Sequence, residues 1–207
     1  MMKNNYNKLM EERIDSLVKS GHKPKLLIHV CCAPCSTYVL ELLEQNFILG
    51  LYYYNPNIYP EEEHERRFVE LQNFLRDAGY SNRVELFYEE YSHLEFAGCA
   101  YGLEDESEGG LRCFSCYELR LSKTAQKAKE AGFEYFTTTL TVSPHKNADR
   151  INTTGERLAS IYEVKFLNSD FKKKNGFKRT VELSRKYDLY RQDYCGCEFS
   201  MKSELKE

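Results

Sequence analysis

Apolar positions along this chain follow two periods, and their alternation predicts the architecture. Five short runs rich in Val, Ile, Leu, Tyr and Phe read as strands: Lys25 to Val30, Phe47 to Tyr54, Val84 to Tyr88, Tyr135 to Leu140 and Val164 to Leu167. Between them the apolar spacing lengthens to three and four. Residues 7–20 carry Met10, Ile14, Leu17 and Val18 on one face, with Gly21 as the stop. A second helix runs from Ser36, its expected N-cap, to about Gln45. A third runs from about Glu61 to Ala78, burying Phe68, Leu71 and Leu75 before Gly79. Cys113 opens another, with Tyr117, Leu121, Ala125 and Ala128 as its stripe and Gly132 as its cap. Further helices cover about Asn147 to Tyr162 and a stretch ending near Tyr187. The segment from Ser92 to Arg112, with four glycines and an acidic run, reads as irregular. Strand and helix alternate with no repeat and no linker. That pattern predicts an α/β class: one Rossmann-like three-layer domain over 1–207, a mostly parallel sheet with helices on both faces, preceded over 1–24 by a helix and lead-in.

Composition narrows the setting. The chain has 207 residues, 42% hydrophobic and 29% charged, which suits one domain with a sizeable core. Its net charge of −3 argues against strong sequence-blind binding to nucleic acid, and no DNA partner is expected. No apolar run is long enough to cross a membrane, and Met1 to Tyr6 holds no signal-peptide core, so the expectation is a cytoplasmic protein.

The eight cysteines then change the picture. In a reducing compartment, close-set cysteines bind metal or do redox chemistry more often than they form structural disulfides. Seven fall in three groups: Cys31, Cys32 and Cys35 after the first strand; Cys113 and Cys116; and Cys195 and Cys197 around a glycine. Cys99 stands apart and reads as incidental. The first group sits between a strand end and a helix start, where α/β sheets collect ligands and where the helix dipole favours thiolate. A doubly wound sheet can bring all three groups to one edge. Seven thiols exceed one tetrahedral zinc. Adjacent cysteines diverge, which suits the separated irons of a cubane better than a single ion, although zinc stays open. The Cys195/Cys197 pair suits a strained disulfide, a second metal or a zinc staple.

The blocks HVCCAPCS, YNPNIYP, EGGLRCFSCYELRL, TTTLTVSPHKN, DFKKKNG and YRQDYCGCEFS, in that order, resemble the cobalamin-independent epoxyqueuosine reductases of the QueH type. The likeness runs from about His29 to Ser200, within a family-like core of 25–200. It implies a Rossmann-like fold, a [4Fe–4S] cluster above the C-terminal strand ends, and reduction of epoxyqueuosine to queuosine at the tRNA wobble position, the last step of queuosine biosynthesis. It implies Cys31, Cys32, Cys113 and Cys116 as cluster ligands. Cys195 and Cys197 correspond to the family's CxC pair, a redox-active disulfide or part of an adjacent metal site. Cys35 falls where a second-iron ligand is expected, so an adjacent mononuclear iron joins the expected cofactors.

The chemistry is consistent with that parts list. Converting an epoxide to an alkene takes two electrons and two protons and releases water. One cubane passes single electrons, so a neighbouring iron or dithiol would hold the second, and an open metal position would polarise the epoxide oxygen. Proton-donor candidates by position are His29, His145, Tyr194 and Glu118. For tRNA, the densest basic stretch is Lys172, Lys173, Lys174, Lys178, Arg179, Arg185 and Lys186, with Arg191 nearby. Tyr59, Phe177 and Tyr190 are candidates to stack splayed bases. An electron donor is required but not identified. Two other readings stand beside this one. One is an iron–sulfur tRNA sulfur-transfer enzyme, whose phosphate loop is here replaced by CCAPCS. The other is a zinc-stapled RNA-binding module.

Overall fold

The computed structural model describes residues 4–201. Met1 to Lys3, part of the stretch read above for a signal peptide, lie outside the described residues, as do residues 202–207. The elements run α1 Tyr6–Ser20, β1 Lys25–His29, α2 Ala33–Leu43, β2 Ile48–Tyr53, α3 Glu61–Asp77, β3 Glu85–Tyr88, α4 His93–Ala100, α5 Leu111–Glu130, β4 Tyr135–Thr138, a 3₁₀ turn Thr139–Val142, α6 Ala148–Tyr162, β5 Lys165–Phe166, α7 Gly176–Lys186 and α8 Glu198–Met201.

The five strands form one all-parallel sheet in the order β3-β2-β1-β4-β5. β1 is central, pairing Leu26 with Leu49 of β2 and with Tyr135 of β4. Strand side chains alternate faces, so this one strand feeds two cores. Leu26 and Ile28 join Leu40 of α2, Leu71 and Phe74 of α3 and Met10 of α1 on one face. Leu27 joins Leu121 and Ala125 of α5 and Ile151 of α6 on the other. All three β1 side chains are fully buried, each contributing about 1.5–3 kcal/mol. Both faces are therefore covered, as an all-parallel sheet requires.

Local chemistry explains the boundaries, including those that differ from expectation. Gly21 ends α1 in the left-handed region (φ +64°), its N–H reaching the Leu17 and Val18 carbonyls. The segment expected to be irregular contains α4; a central Gly98 and the neighbouring acidic run hide its single buried turn, held by Phe96 and Ala100. α2 starts three residues before Ser36. Cys32 is its N-cap, with Sγ accepting from Cys35 N at 3.4 Å and Pro34 in the first turn. Among the described residues, no helix is long and apolar enough to cross a membrane.

Candidate active site

β1 and β4 are neighbours, and the connections leaving their carboxyl ends run in opposite directions, to β2 and to β5, which opens a crevice. The crevice is a cavity of about 330 Å³, walled by Cys31, Cys35, Arg67, Arg120, Lys146 and Cys195 among others. The thiols of Cys31, Cys32 and Cys35 converge there within 4.8 Å of one another. Cys31 and Cys32 sulfurs are 3.8 Å apart, and those of Cys32 and Cys35 are 2.7 Å apart. Ser36, inside the helix, bonds back to the Cys32 carbonyl at 2.8 Å and fixes this turn.

Protons are shared unequally in this triad. Hydrogen bonds from Cys32 and Cys35, aided by the charge of Arg120, hold Cys31 well below the usual thiol range. Burial, with the Cys31 thiolate alongside, pushes Cys32 up to about 12. The hydrogen bond to Cys31 raises Cys35. The three sulfurs are close enough together to hold one metal ion, and metal binding would displace their remaining protons.

Cys113 and Cys116 stand in the first turns of α5. Cys113 Sγ accepts from Gly109 N at 3.2 Å and packs in the apolar cluster that Cys31 borders. Cys116 packs with the buried Cys197, Phe96 and Ala100. Cys99, read as incidental, borders this cluster and is raised to about 12 by burial and by Cys116. The CxxC pair does not join the first triad within 4.8 Å. Sulfurs that bind separate irons of a cubane need not approach as closely as ligands of one ion. None of the eight cysteines is joined in a disulfide.

Two cations tie the groups together, and sequence reasoning missed both. Arg120 lies one helical turn beyond Cys116 and is 2% exposed. Its Nη2 donates to Asn55 Oδ1 at 2.7 Å, its Nε to His29 Nε2 at 3.2 Å, and its Nη1 faces Cys116 Sγ at 3.9 Å. One side chain thus joins the ends of β1 and β2 to the CxxC helix. The i, i+4 spacing from Cys116 was the available signal. Lys146 Nζ donates to Cys195 Sγ at 2.9 Å. Burial works against the ammonium, but Cys195 and Tyr117 outweigh it and raise its pKa. The hydrogen bond from Cys197, then the Lys146 charge, pull Cys195 well below the thiol range, while Cys197 is pushed up by that same bond and by burial.

Gly196 between them is required. Its φ is +108°, and a Cβ there would lie 2.8 Å from Arg67 Nη1. Its carbonyl accepts from Tyr59 N at 2.8 Å.

The expected proton donors separate cleanly. His145 and Tyr194 line the cavity. His29 is wholly buried, with Nδ1 2.9 Å from Thr138 Oγ1. The Tyr54 carbonyl is also 3.1 Å from Nε2, but arginine keeps its protons, so Nε2 accepts from Arg120. Burial and then Arg120 push His29 down to about 3. It does not line the cavity, and its ring nitrogens are engaged by Thr138 and Arg120. Glu118 lies outside the cavity, paired with Arg157 at 2.5 Å.

The expected tRNA contacts also divide. Arg191 lines the cavity, and its guanidinium lies 5.9 Å from the Phe177 ring centre. One face of the Tyr190 ring is covered by the Arg66 guanidinium, 3.5 Å from the ring centre. Lys172, Lys173 and Lys174 line a neighbouring groove that shares Pro144, His145 and Lys146 with the cavity. Lys172 pairs with Asp170 and Lys174 with Glu11, each at 2.5 Å. Lys173 makes no side-chain ion pair among the described residues.

Comparison with known proteins bears on this site. A family model described as "Epoxyqueuosine reductase QueH" matches residues 26–203. The chain is similar to proteins of that name from Streptococcus pyogenes serotype M1 (45% identical over 202 residues, covering 97% of this chain and 79% of the relative) and Staphylococcus epidermidis (43% over 203 residues, 95% and 84%). It is also similar to one from Thermotoga maritima (37% over 180 residues, 85% and 90%).

Proposed function

The chain belongs to the epoxyqueuosine reductase QueH family, and from that premise we propose how its cavity performs the two-electron reduction of an epoxide to an alkene and water. The observation that carries this reading is the meeting of Cys31, Cys35 and Cys195 with the buried cations Arg120 and Lys146 on one crevice at the end of β1, with Cys116 beside Arg120.

Cys31, Cys32, Cys113 and Cys116 would hold a [4Fe–4S] cluster, and Cys35, Cys195 and Cys197 would hold an adjacent iron or act as a dithiol. The donor set fits: seven thiols are available, the pKa values of Cys31 and Cys195 are drawn well below the usual thiol range, and the charges of Arg120 and Lys146 would offset the negative charge of a thiolate-bound centre. When bound, these groups supply electrons one at a time and a Lewis-acid position.

The chain's own residues do the rest. Lys146 Nζ carries a proton into the cavity next to Cys195, where the departing oxygen needs one. Tyr194 and His145 are placed to deliver the second. Arg120 and Asn55 hold the wall that carries Cys31, keeping the crevice formed in advance of substrate. The substrate is the epoxyqueuosine base in tRNA, with the Lys172–Lys174 groove as its backbone track. Electrons come from an external carrier.

The test begins with strictly anaerobic purification and reconstitution. About four to five irons with about four sulfides per chain, and turnover of epoxyqueuosine-tRNA, is the expected result. Cys35→Ala and Cys197→Ala should each lose turnover and iron; full turnover with iron unchanged rejects their role. The close approach of Cys31, Cys32 and Cys35 favours a second possibility, a single ion held there. Roughly one zinc with no sulfide after attempted reconstitution would select it over the cluster. Reversing Lys172, Lys173 and Lys174 to Glu should weaken tRNA binding in a salt-dependent way, and unchanged affinity rejects that track.

A further inference from the structure

The chain holds two CxxC motifs, and the fold treats them differently. Cys113 and Cys116 both lie inside α5, and they pack into separate apolar clusters, Cys113 with that of Leu121 and Phe136, Cys116 with that of Phe96 and Ala100. Cys32 and Cys35 instead bring their sulfurs to 2.7 Å. The cause is local. Cys32 is the N-cap of α2, with extended backbone (φ −169°, ψ 162°), and its Sγ sits over the first turn, accepting from Cys35 N at 3.4 Å. Pro34 stiffens that turn. Ser36 Oγ and Thr37 Oγ1 brace it, donating to the carbonyls of Cys32 and Pro34 at 2.8 and 2.9 Å. The approach of the two sulfurs is therefore built into the start of the helix.

That separation has a chemical meaning. Two sulfurs bound ~2.3 Å from one tetrahedral ion stand about 3.8 Å apart, and ligands of different irons in a cubane stand farther. Cys31 and Cys32, at 3.8 Å, match the first case. Cys32 and Cys35, at 2.7 Å, are closer than two ligands of one ion and only about 0.7 Å beyond the ~2.05 Å of a disulfide. Backbone geometry selects the same pair. A disulfide spans Cα atoms roughly 4.4–6.8 Å apart; neighbours in sequence stand about 3.8 Å apart, whereas residues three apart in a helical turn stand about 5 Å apart.

We propose that Cys32 and Cys35 form a reversible dithiol–disulfide couple in the metal-free protein, whose oxidised form withholds the ligand set from metal. Cys31 and Cys35 line the cavity and meet the oxidant, a low-molecular-weight disulfide, while Cys32, 1% exposed, lies behind them. Attack on the oxidant forms a mixed disulfide and releases one small thiol. Exchange within the triad displaces the second small thiol and leaves the bond on the pair whose geometry fits. One small disulfide and two cysteine thiols thus become one Cys32–Cys35 disulfide and two small thiols. Two electrons pass to the oxidant, and the two cysteine protons leave on the released thiols. Neither sulfur then offers a thiolate to a metal. The bond stands apart from the reductase reading; its effect on metal loading rests on the ligand roles which that reading gives Cys32 and Cys35.

The test uses the full chain, metal-free and anaerobic, equilibrated in mixtures of glutathione and glutathione disulfide and quenched with N-ethylmaleimide. Mass spectrometry of the unreduced peptide spanning Cys31 to Cys35 should show the label on Cys31 and a bond between Cys32 and Cys35. That bond should form in mixtures at least about tenfold more reducing than any bond between Cys113 and Cys116 requires. Metal access is read with cobalt(II), by its thiolate charge-transfer absorption, in a Cys195→Ser, Cys197→Ser background that removes the other closely spaced pair. Oxidation should weaken cobalt binding at least about tenfold, and reduction followed by desalting should restore it. Lasting glutathione adducts with no internal bond, a bond to Cys31 instead, or earlier oxidation of Cys113 and Cys116 would each overturn the couple. A Cys32–Cys35 bond that leaves cobalt affinity unchanged overturns its effect on loading. Failure of the reconstituted wild type to reduce epoxyqueuosine-tRNA is a separate result: it removes the reductase reading, whereas both measurements here are scored without turnover.

Discussion

Replacing Gly196 with Ala tests how the Cys195/Cys197 pair is held in the site. The backbone there has φ +108°, a conformation that costs a residue with a Cβ about 1–3 kcal/mol. The added methyl would also meet Arg67 Nη1 at 2.8 Å and Ile58 Cγ1 at 3.4 Å. Arg67 cannot retreat, because it is buried and its Nε is bonded to Glu63 at 2.6 Å. The displaced partner is therefore the segment around Gly196, which gives up the Tyr59 N–Gly196 O bond and the Lys146–Cys195 contact. A cost of about 1–3 kcal/mol lowers the docked-to-undocked ratio of this segment about 5- to 150-fold. Alkylation of the reduced, metal-free protein by iodoacetamide, mapped by peptide mass spectrometry, reads that ratio. Cys195 and Cys197 should label faster in Gly196→Ala, while Cys32, behind the N-terminus of α2, keeps its rate. Turnover after reconstitution should fall. The urea midpoint should move little, because the lost contacts lie outside the sheet and its two cores. Wild-type labelling at Cys195 together with wild-type turnover would refute the reasoning.

Other consequences can be measured directly. Lys146→Met removes the cation beside Cys195, so the Cys195 thiolate should become scarcer, with its alkylation profile shifting to higher pH and epoxide turnover falling at least about tenfold. His64 is pushed down to about 4 by burial and then Arg67, against 6.5 when unfolded. Above pH 6.5 both states are neutral; between about 6.5 and 4 only the unfolded state takes the proton. Stability should therefore drop by about 3 kcal/mol as pH falls through that window, and His64→Phe should flatten this part of the urea-derived curve. Gly155→Ala places a methyl 2.5 Å from the Phe166 ring; overpacking of about 1–3 kcal/mol competes with a helix-propensity gain of about 1 kcal/mol. Thermal denaturation should show a net loss, and a higher melting temperature would mean the ring yields freely. Reconstitution with iron and sulfide should protect Cys31, Cys32, Cys113 and Cys116 from alkylation, and equal labelling with and without metal would remove them from the ligand set.

The alternation of apolar periods was enough to place every strand and most helices, because a buried parallel strand and an amphipathic helix leave different spacings in the chain. The lapses have physical reasons. α4 was hidden because Gly98 and the nearby acidic run outweigh the two buried residues that hold it. The start of α2 was misplaced because hydroxyl side chains are the usual caps, whereas here a cysteine sulfur does that work and Ser36 bonds back to the Cys32 carbonyl from inside the helix. Strand order carries no local signature; it follows from which crossover buries which face. At the site, the cysteine groups were legible because clustered thiols are rare. Arg120 was readable in principle, one turn from Cys116, but an arginine in a charged helix looks like solvent-facing charge until its burial is seen. Arg67 was not readable, because its burial against Gly196 is set by packing between segments far apart in the chain.

The spacing of the three cysteine groups has a consequence in chain entropy. Cys32 and Cys113, and again Cys116 and Cys195, are separated by about eighty residues, and joining two points of a flexible chain at that distance costs about 4–5 kcal/mol for each closure. Here the sheet, Arg120 and the contacts of Gly196 have already brought the three groups together, so that cost is met by folding and not by the metal. Iron arriving at this site would meet a loop closure already made, and its whole binding energy would go into holding the folded state against the unfolded one.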